Sequence, residues 1–430
     1  MSDPIAAPVP FSRIAAPRKL VVCCDGTWNE PYQIGNPTNV VKMVRAILPK
    51  DANEAAQLVY YHAGVGTGNI VDRFMGGTMG VGLASNVQTA YEFLATNYVN
   101  GDKIYLFGFS RGAYTARAVA GLIGKVGGLL LKQDMDLFPY VYDIYRNRQH
   151  RDALGTKDPA KIKATVRAVH SERKLGKNFD RLIDALSRAN SAPIFFIGVW
   201  DTVGSLGVPG RGLRWIGQSK YNFHDTGLSP RIRFAYHAIG IDEKRSTFVP
   251  TLWTRPKVRH DPGDVVPVLE QVWFAGVHSS VGGGYEDRGL SDIAFLWMAD
   301  KAMTARGLHD ARQSWLPLAF DEEYLAGNIQ PTMGRLKDSG RFVFWKVLGL
   351  RDRTMMATPP PNATTGEEQE TCEAVHWSAR VRLECDEKGR FEPFPYRPRN
   401  LMAALGKDTT VVTEPSELER KYLPWFHTST

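Results

Sequence analysis

The chain alternates short unbroken apolar runs with longer stretches in which apolar residues return every three or four positions. Residues 19–24 form one such run, which predicts a strand buried on both faces and ends in Asp25-Gly26-Thr27. Residues 57–62 predict a second strand, followed by a glycine-rich loop from Gly64 to Gly82. Val87, Ala90, Tyr91, Leu94 and Tyr98 recur at helical spacing, so residues 84–99 predict a helix capped by Ser85. Residues 104–107 form a third strand, and a helix over 113–123 follows it closely. Residues 193–200 form a fourth strand that ends in Asp201-Thr-Val-Gly204. Residues 231–239 read as a helix, 248–253 and 271–277 as strands, and 290–303 as an apolar-periodic helix. Strands alternating with helices predict an α/β fold of the α/β-hydrolase type. Its central sheet should be mostly parallel, with helices on both faces and functional groups at the C-terminal ends of the strands.

This pattern divides the chain. Residues 1–18 are Pro/Ala-rich and read as a flexible N-terminal segment without the apolar core of a secretory signal. Residues 19–305 carry the hydrolase-like domain, interrupted at about 134–190 by a polar, helical insertion. Residues 306–430 are Pro-rich and irregular and read as an accessory or lid region packed on the core, with a flexible stretch over 358–371. No run is long and apolar enough for a membrane span, so the expected location is cytoplasmic as synthesised. Of the formal charge of +8, most is local: residues 141–190 hold twelve Lys/Arg against six Asp/Glu, a stripe suited to an anionic membrane surface. The four cysteines include no C-x-x-C pair, which argues against a cysteine-rich zinc site, and Cys23 and Cys24 should point to opposite faces of their strand.

The chemistry concentrates at strand ends. Gly108-Phe-Ser-Arg-Gly112 fits G-x-S-x-G between a strand and a helix, the setting of a nucleophile elbow. Ser110 sits on so sharp a turn that Gly108 and Gly112 must leave room for it. A serine hydroxyl needs a histidine base, and that base needs a carboxylate to fix its tautomer. Asp201 and His278 follow strands and occur in the order Ser, Asp, His. Asp242 (in a polar turn), Asp287 and Asp292 (an N-cap-region residue) are weaker candidates for the acid, as are His62, His237 and His376 for the base. The oxyanion donors expected are the amide of Arg111 and an amide of Gly26 or Thr27, with Asp25 orienting that turn. The Gly64–Gly68 loop lacks both the Walker lysine and the full dinucleotide pattern, and reads as a wall of the site. No cofactor and no metal are expected, and the partners are a lipid or small ester substrate, an anionic membrane surface and no nucleic acid. Two other readings compete: metal-assisted hydrolysis through Asp25, Asp201 and His278, and a non-catalytic module that binds a membrane or a protein through residues 141–190.

Several segments recur together in one order: Cys24-Asp-Gly-Thr-Trp-Asn29, Asn36-Pro-Thr-Asn39, Tyr61-His-Ala-Gly-Val-Gly-Thr67, Gly108-Phe-Ser-Arg-Gly-Ala113, Gly198-Val-Trp-Asp-Thr-Val-Gly204, His237-Ala-Ile-Gly-Ile-Asp-Glu243 and Trp273-Phe-Ala-Gly-Val-His-Ser-Ser-Val-Gly-Gly-Gly-Tyr285. From about residue 19 to 303 the chain resembles an α/β-hydrolase family of bacteria and fungi, whose best-described members are type VI secretion system phospholipase effectors. The resemblance implies a Ser110–Asp201–His278 triad, hydrolysis of lipid esters with phospholipase A activity among them, and delivery by a secretion system.

Overall fold

The computed structural model describes residues 17–27, 36–64, 79–146, 157–203, 226–257, 266–305, 317–340, 346, 349–363, 365–385, 395–407 and 411–423. Residues 1–16 of the expected N-terminal segment, and residues 65–78 of the glycine-rich loop, lie outside them.

Nine strands are present among these residues: β1 Lys19–Thr27, β2 Gln57–Gly64, β3 Lys103–Phe109, β4 Ile194–Trp200, β5 Ile232–Gly240, β6 Arg255–Pro256, β7 Val268–Phe274, β8 Gln369–Glu370 and β9 Glu373–Val375. Seven of them form one sheet in the order β2-β1-β3-β4-β5-β7-β9, every neighbouring pair parallel, while β6 and β8 make a small antiparallel ribbon. Parallel strands need both faces covered, which is why β4 is buried at all seven positions and reads as an unbroken apolar run. The chain order reverses between β1 and β3. In an open parallel sheet, the crevice outside the strand ends at such a reversal is where ligands bind.

Helices α1 (Asn39–Ala46), α2 (Met79–Asn97) and α3 (Arg111–Val126) flank the first strands. Three more, α4 (Phe138–Arg146), α5 (Pro159–Arg173) and α6 (Asn178–Arg188), make up the insertion. After β7 come α7 (His278–Gly282) and α8 (Gly289–Thr304), and then α9 (Glu322–Asn328), α10 (Trp377–Cys385), α11 (Arg399–Leu405) and α12 (Glu417–Tyr422). Leu20, Val22, Cys24, Ile104 and Leu106 face α2 and α3; Val21, Cys23, Tyr105 and Phe107 face α1 and α8. Cys23 and Cys24 therefore do lie on opposite faces. The insertion is helical and polar outside, yet Val141, Ile162, Val166, Leu182 and Leu186 are buried in the same cluster as the sheet. It is an integral layer of the core.

Three expectations change. Residues 231–239 fall on strand β5 and not on a helix: Ile-Arg-Phe-Ala-Tyr-His-Ala-Ile-Gly (Ile232–Gly240) is buried on both faces, and such a run satisfies helical spacing as easily as strand spacing. Residues 248–253 are not a strand; β6 begins only at Arg255, and the carbonyls of Phe248 and Thr251 accept from Arg353 and Arg117 instead. Ser85 lies inside α2, which begins at Met79. The residues after 305 also do more than cover the core. They supply β9 as an edge strand beside β7, and the stretch expected to be flexible carries a hydrogen-bonded turn from Asn362 to Glu367 followed by β8.

Candidate active site

Ser110 follows the last residue of β3 and stands at the N-cap of α3 with φ 58° and ψ −120°. A non-glycine residue in that region is strained, and the strain turns its side chain out over the sheet edge. Its amide donates to the Trp200 carbonyl at 3.1 Å, which anchors the turn to β4. A Cβ on Gly108 would lie 2.6 Å from the Ala113 Cα, and one on Gly112 would run into the carbonyls of Cys24 and Asp25. These atoms are backbone and cannot swing aside. Gly112→Ala should therefore destabilise the protein by about 1–3 kcal/mol, read as a lowered thermal midpoint; an unchanged midpoint would mean that the elbow does not press on β1 as described.

The Ser110 Oγ lies 2.8 Å from Nε2 of His278, and Nδ1 of His278 lies 2.5 Å from Oδ2 of Asp201. Beside a carboxylate Nδ1 carries the proton and donates, so Nε2 accepts from the serine hydroxyl. His278 opens α7, its amide donates to Oε2 of Glu243 at 3.2 Å, and its ring packs between Phe109 and Phe248 with centroids 4.7 and 5.0 Å away. Glu243 is in turn gripped by Arg245 through Nε and a terminal nitrogen, each at 2.8 Å. Burial lowers the His278 pKa, and the hydrogen bond to Asp201 only partly restores it, so the ring is neutral at pH 7.

Asp201 is fully buried. Oδ1 accepts from the Gly240 amide at 2.9 Å and from Arg353 at 2.6 Å; Oδ2 accepts from His278 and from the other arm of Arg353 at 2.9 Å. Burial alone would raise its pKa, but the Arg353 guanidinium and the His278 contact outweigh that and hold the carboxyl far below the usual carboxylate range. Arg353 and Glu243 were not among the residues singled out from the sequence. Glu243 closes the segment His237–Glu243 without having been assigned a role, and Arg353 stands in no local motif that distinguishes it from a surface charge.

Asp25 ties its turn to the neighbouring elements. Oδ1 accepts from the Gly26 amide at 2.6 Å, and Oδ2 from Thr38 Oγ1 at 2.7 Å and from the Tyr61 hydroxyl at 2.9 Å. The Gly26 amide thus faces Asp25 in this structure, which leaves Thr27 as the donor of that turn carried into the proposal below. Thr38 also bridges to Gly283, and Asn39 Nδ2 donates to the carbonyls of Val281 and Ser291 at 2.8 and 2.9 Å, so this stretch ties the end of β1 to the His278 segment. Asp292 lies in the first turn of α8, whose N-cap is Arg288, and its carboxylate is buried against Lys42 at 2.5 Å. Asp287 accepts from the Gly289 and Arg335 amides, and Asp242 from the Gly276 amide and the Tyr396 hydroxyl. His237 accepts from the Thr202 amide at 3.0 Å, and burial first, then the Arg117 charge, push its pKa down to about 3. His376 is sealed between Ser378 and Glu419 with no exposed surface.

Residues 18–301, about two thirds of the chain, match the family model described as "T6SS, Phospholipase effector Tle1-like, catalytic domain". The chain belongs to this Tle1-like family. A Saccharomyces cerevisiae relative, itself described as an uncharacterized protein, is 27% identical to the Tle1-like chain over 253 residues, which is 56% of this chain and 33% of that one. Among solved structures, an uncharacterized protein from Pseudomonas aeruginosa is 18% identical with a TM-score of 0.37, covering 73% of this chain and 48% of that one. The Tle1 effector bound to the VgrG spike of the type 6 secretion system is 17% identical with a TM-score of 0.31, covering 64% and 52%. The Tle1-like chain thus spans a third to a half of the length of these relatives. Among its described residues, no helix is long and apolar enough to cross a membrane.

Proposed function

We propose that the protein is a serine hydrolase that cleaves carboxylic esters of lipids, as a phospholipase A or a lipase, through an acyl-enzyme on Ser110. The observation that carries this reading is the unbroken hydrogen-bonded chain from Ser110 through His278 to Asp201 at the elbow. Membership in a phospholipase effector family supports the choice of lipid esters. In the proposed reaction the Ser110 Oγ attacks the acyl carbonyl carbon while its proton passes to Nε2 of His278. The amides of Arg111 and Thr27 hold the oxyanion at the N-terminus of α3, where the helix dipole favours negative charge. His278 then returns the proton to the leaving alcohol oxygen, and a water activated by His278 releases the fatty acid and restores the serine. The test is a panel of phospholipids, triacylglycerols and short p-nitrophenyl esters, run on wild type and Ser110→Ala alongside fluorophosphonate labelling. Equal labelling of the two proteins would sink the reading.

The pH dependence follows from the depressed His278 pKa. The base must be neutral, so kcat/KM rises with pH and levels off once His278 has lost its proton. Its half-maximal point should lie below the ordinary histidine value of about 6.5. A midpoint well above 7 would contradict the buried, neutral imidazole described here.

Access to lipid is proposed to run through the insertion. Lys161, Lys163 and Arg167 on α5 and Lys174 and Lys177 beyond it are exposed, whereas Arg181 and Arg188 are paired with Asp136 and Asp134. Each cation near an anionic surface is worth about 1 kcal/mol. Changing Lys161, Lys163 and Arg167 to glutamate should weaken binding to phosphatidylserine vesicles at low salt more than tenfold and leave hydrolysis of a soluble ester unchanged. Equal vesicle binding by the variant would refute this route.

A further inference from the structure

Arg353 lies 152 residues from Asp201 and beyond the span shared with the family, yet it is the most extensive polar partner of the proposed acid. Its two terminal nitrogens meet both carboxylate oxygens in a fork, and each also donates to a carbonyl: Gly240 at the end of β5 at 2.7 Å and Phe248 at 2.6 Å. Such a fork fixes the plane of the carboxylate as well as its charge, which a lysine ammonium cannot do. The segment that delivers it is zipped along the loop after β5. Leu350 bridges to Arg245, Arg351 donates to the Lys244 carbonyl at 2.7 Å, and Ser246 donates to Gly349 at 3.2 Å. The Phe248 whose carbonyl Arg353 holds also packs its ring on His278.

The four donors around Asp201 fill its oxygens, and only one of them, His278, belongs to the proposed reaction. We propose that Arg353 is a positioning residue of this site: its fork orients Asp201, shares the carboxylate charge with His278, and so makes residues 349–353 a required part of the hydrolase. This rests on the serine-hydrolase reading above. The charged and titratable groups facing His278 are Asp201 after β4, Glu243 and Arg245 after β5, and Ser110 after β3; those facing Asp201 are His278, Arg353 and, at longer range, His237. Removing Arg353 leaves the negative charge of Asp201 to His278 alone, so the imidazolium is held more strongly.

The experiment measures kcat and kcat/KM against pH on a soluble p-nitrophenyl ester for wild type, Arg353→Met, Arg353→Lys and Arg382→Met, with thermal melts of each. Arg382 is a buried arginine of the same C-terminal region that donates to the carbonyls of Met333 and Gly334 and does not contact Asp201. Arg353→Met should lower kcat about 100-fold and move the acid limb of the profile upward by about one pH unit. Arg353→Lys, with its charge kept and its fork lost, should lower kcat by a smaller factor and leave the limb in place. Arg382→Met should lower the melting point without moving the limb. If Arg353→Met does not fold, the lysine variant decides, and wild-type kcat in it overturns the proposal. So does a limb that stays still or moves down in Arg353→Met. Ser110→Ala in the same assay separates the two failures: activity in that variant defeats the serine reading itself, whereas an inactive Ser110→Ala beside wild-type-like Arg353 variants defeats only the role of Arg353.

Discussion

Ser110→Ala should lower kcat for ester hydrolysis by about 10⁵- to 10⁶-fold and leave the melting point nearly unchanged. The loss is this large because the other groups act only through the serine. His278 has no proton to take, and Asp201 has no developing imidazolium to stabilise. What survives is substrate binding and the backbone donors at the start of α3, which alone still accelerate attack by water about 10³–10⁴-fold. Stability changes little because alanine occupies the same backbone conformation and gives up one hydrogen bond, to Nε2 of His278, worth about 1 kcal/mol. Measured KM should stay within a fewfold of wild type, since the hydroxyl contributes little to ground-state binding. A variant retaining even one per cent of wild-type kcat would place the nucleophile elsewhere.

Asp201→Asn should combine a loss of about 10⁴ in kcat with a loss of about 3–5 kcal/mol in folding free energy. Four donors converge on Asp201, and asparagine offers one oxygen where aspartate offers two. Arg353 meets both oxygens, so whichever way the amide turns its nitrogen sets a donor against a buried cation. In one orientation it also faces His278 and stabilises the wrong tautomer; in the other it faces the Gly240 amide, a second donor. Arg353 is only 6% exposed, so its charge has no water to turn to. The activity assay and a denaturant titration therefore move together in this variant, whereas only the first moves in Ser110→Ala. Unchanged stability in Asp201→Asn would mean that Arg353 does not depend on this carboxylate.

These two variants also mark where sequence reading reaches and where it stops. Ser110 was legible because everything that makes an elbow is local: an apolar strand, two glycines whose absent side chains leave room, and a helix that starts at once. Asp201 and His278 were legible because each follows a strand, and strands of a parallel sheet end on a common edge. Arg353 was not legible. Nothing within ten residues of it distinguishes an arginine that will be buried under Asp201 from one that will face water, since the pairing is made across 152 residues. The same limit explains β5 and β9. Burial on both faces erased the alternation that would have marked β5 as a strand, and β9 is three residues long and holds its place by pairing with β7 and with the backbone around Val412. The contact of the Gly26 amide was illegible for a smaller reason: its neighbour's own carboxylate folds back on it, a contact fixed by one side-chain torsion.

The distance along the chain between Asp201 and Arg353 has a consequence in time. A ribosome delivers the serine, the acid and the histidine in that order, and domains form as their residues emerge. At that stage the sheet can assemble from β1 through β7, but its buried carboxylate still lacks its counter-charge and its last strand is not yet made. A nascent chain arrested before residue 349 would hold Ser110, Asp201 and His278 without the fork that orients the carboxylate. On the proposed reading, the site gains its full geometry only when the late segment docks, so the order of synthesis sets the order in which the pieces of the site come together.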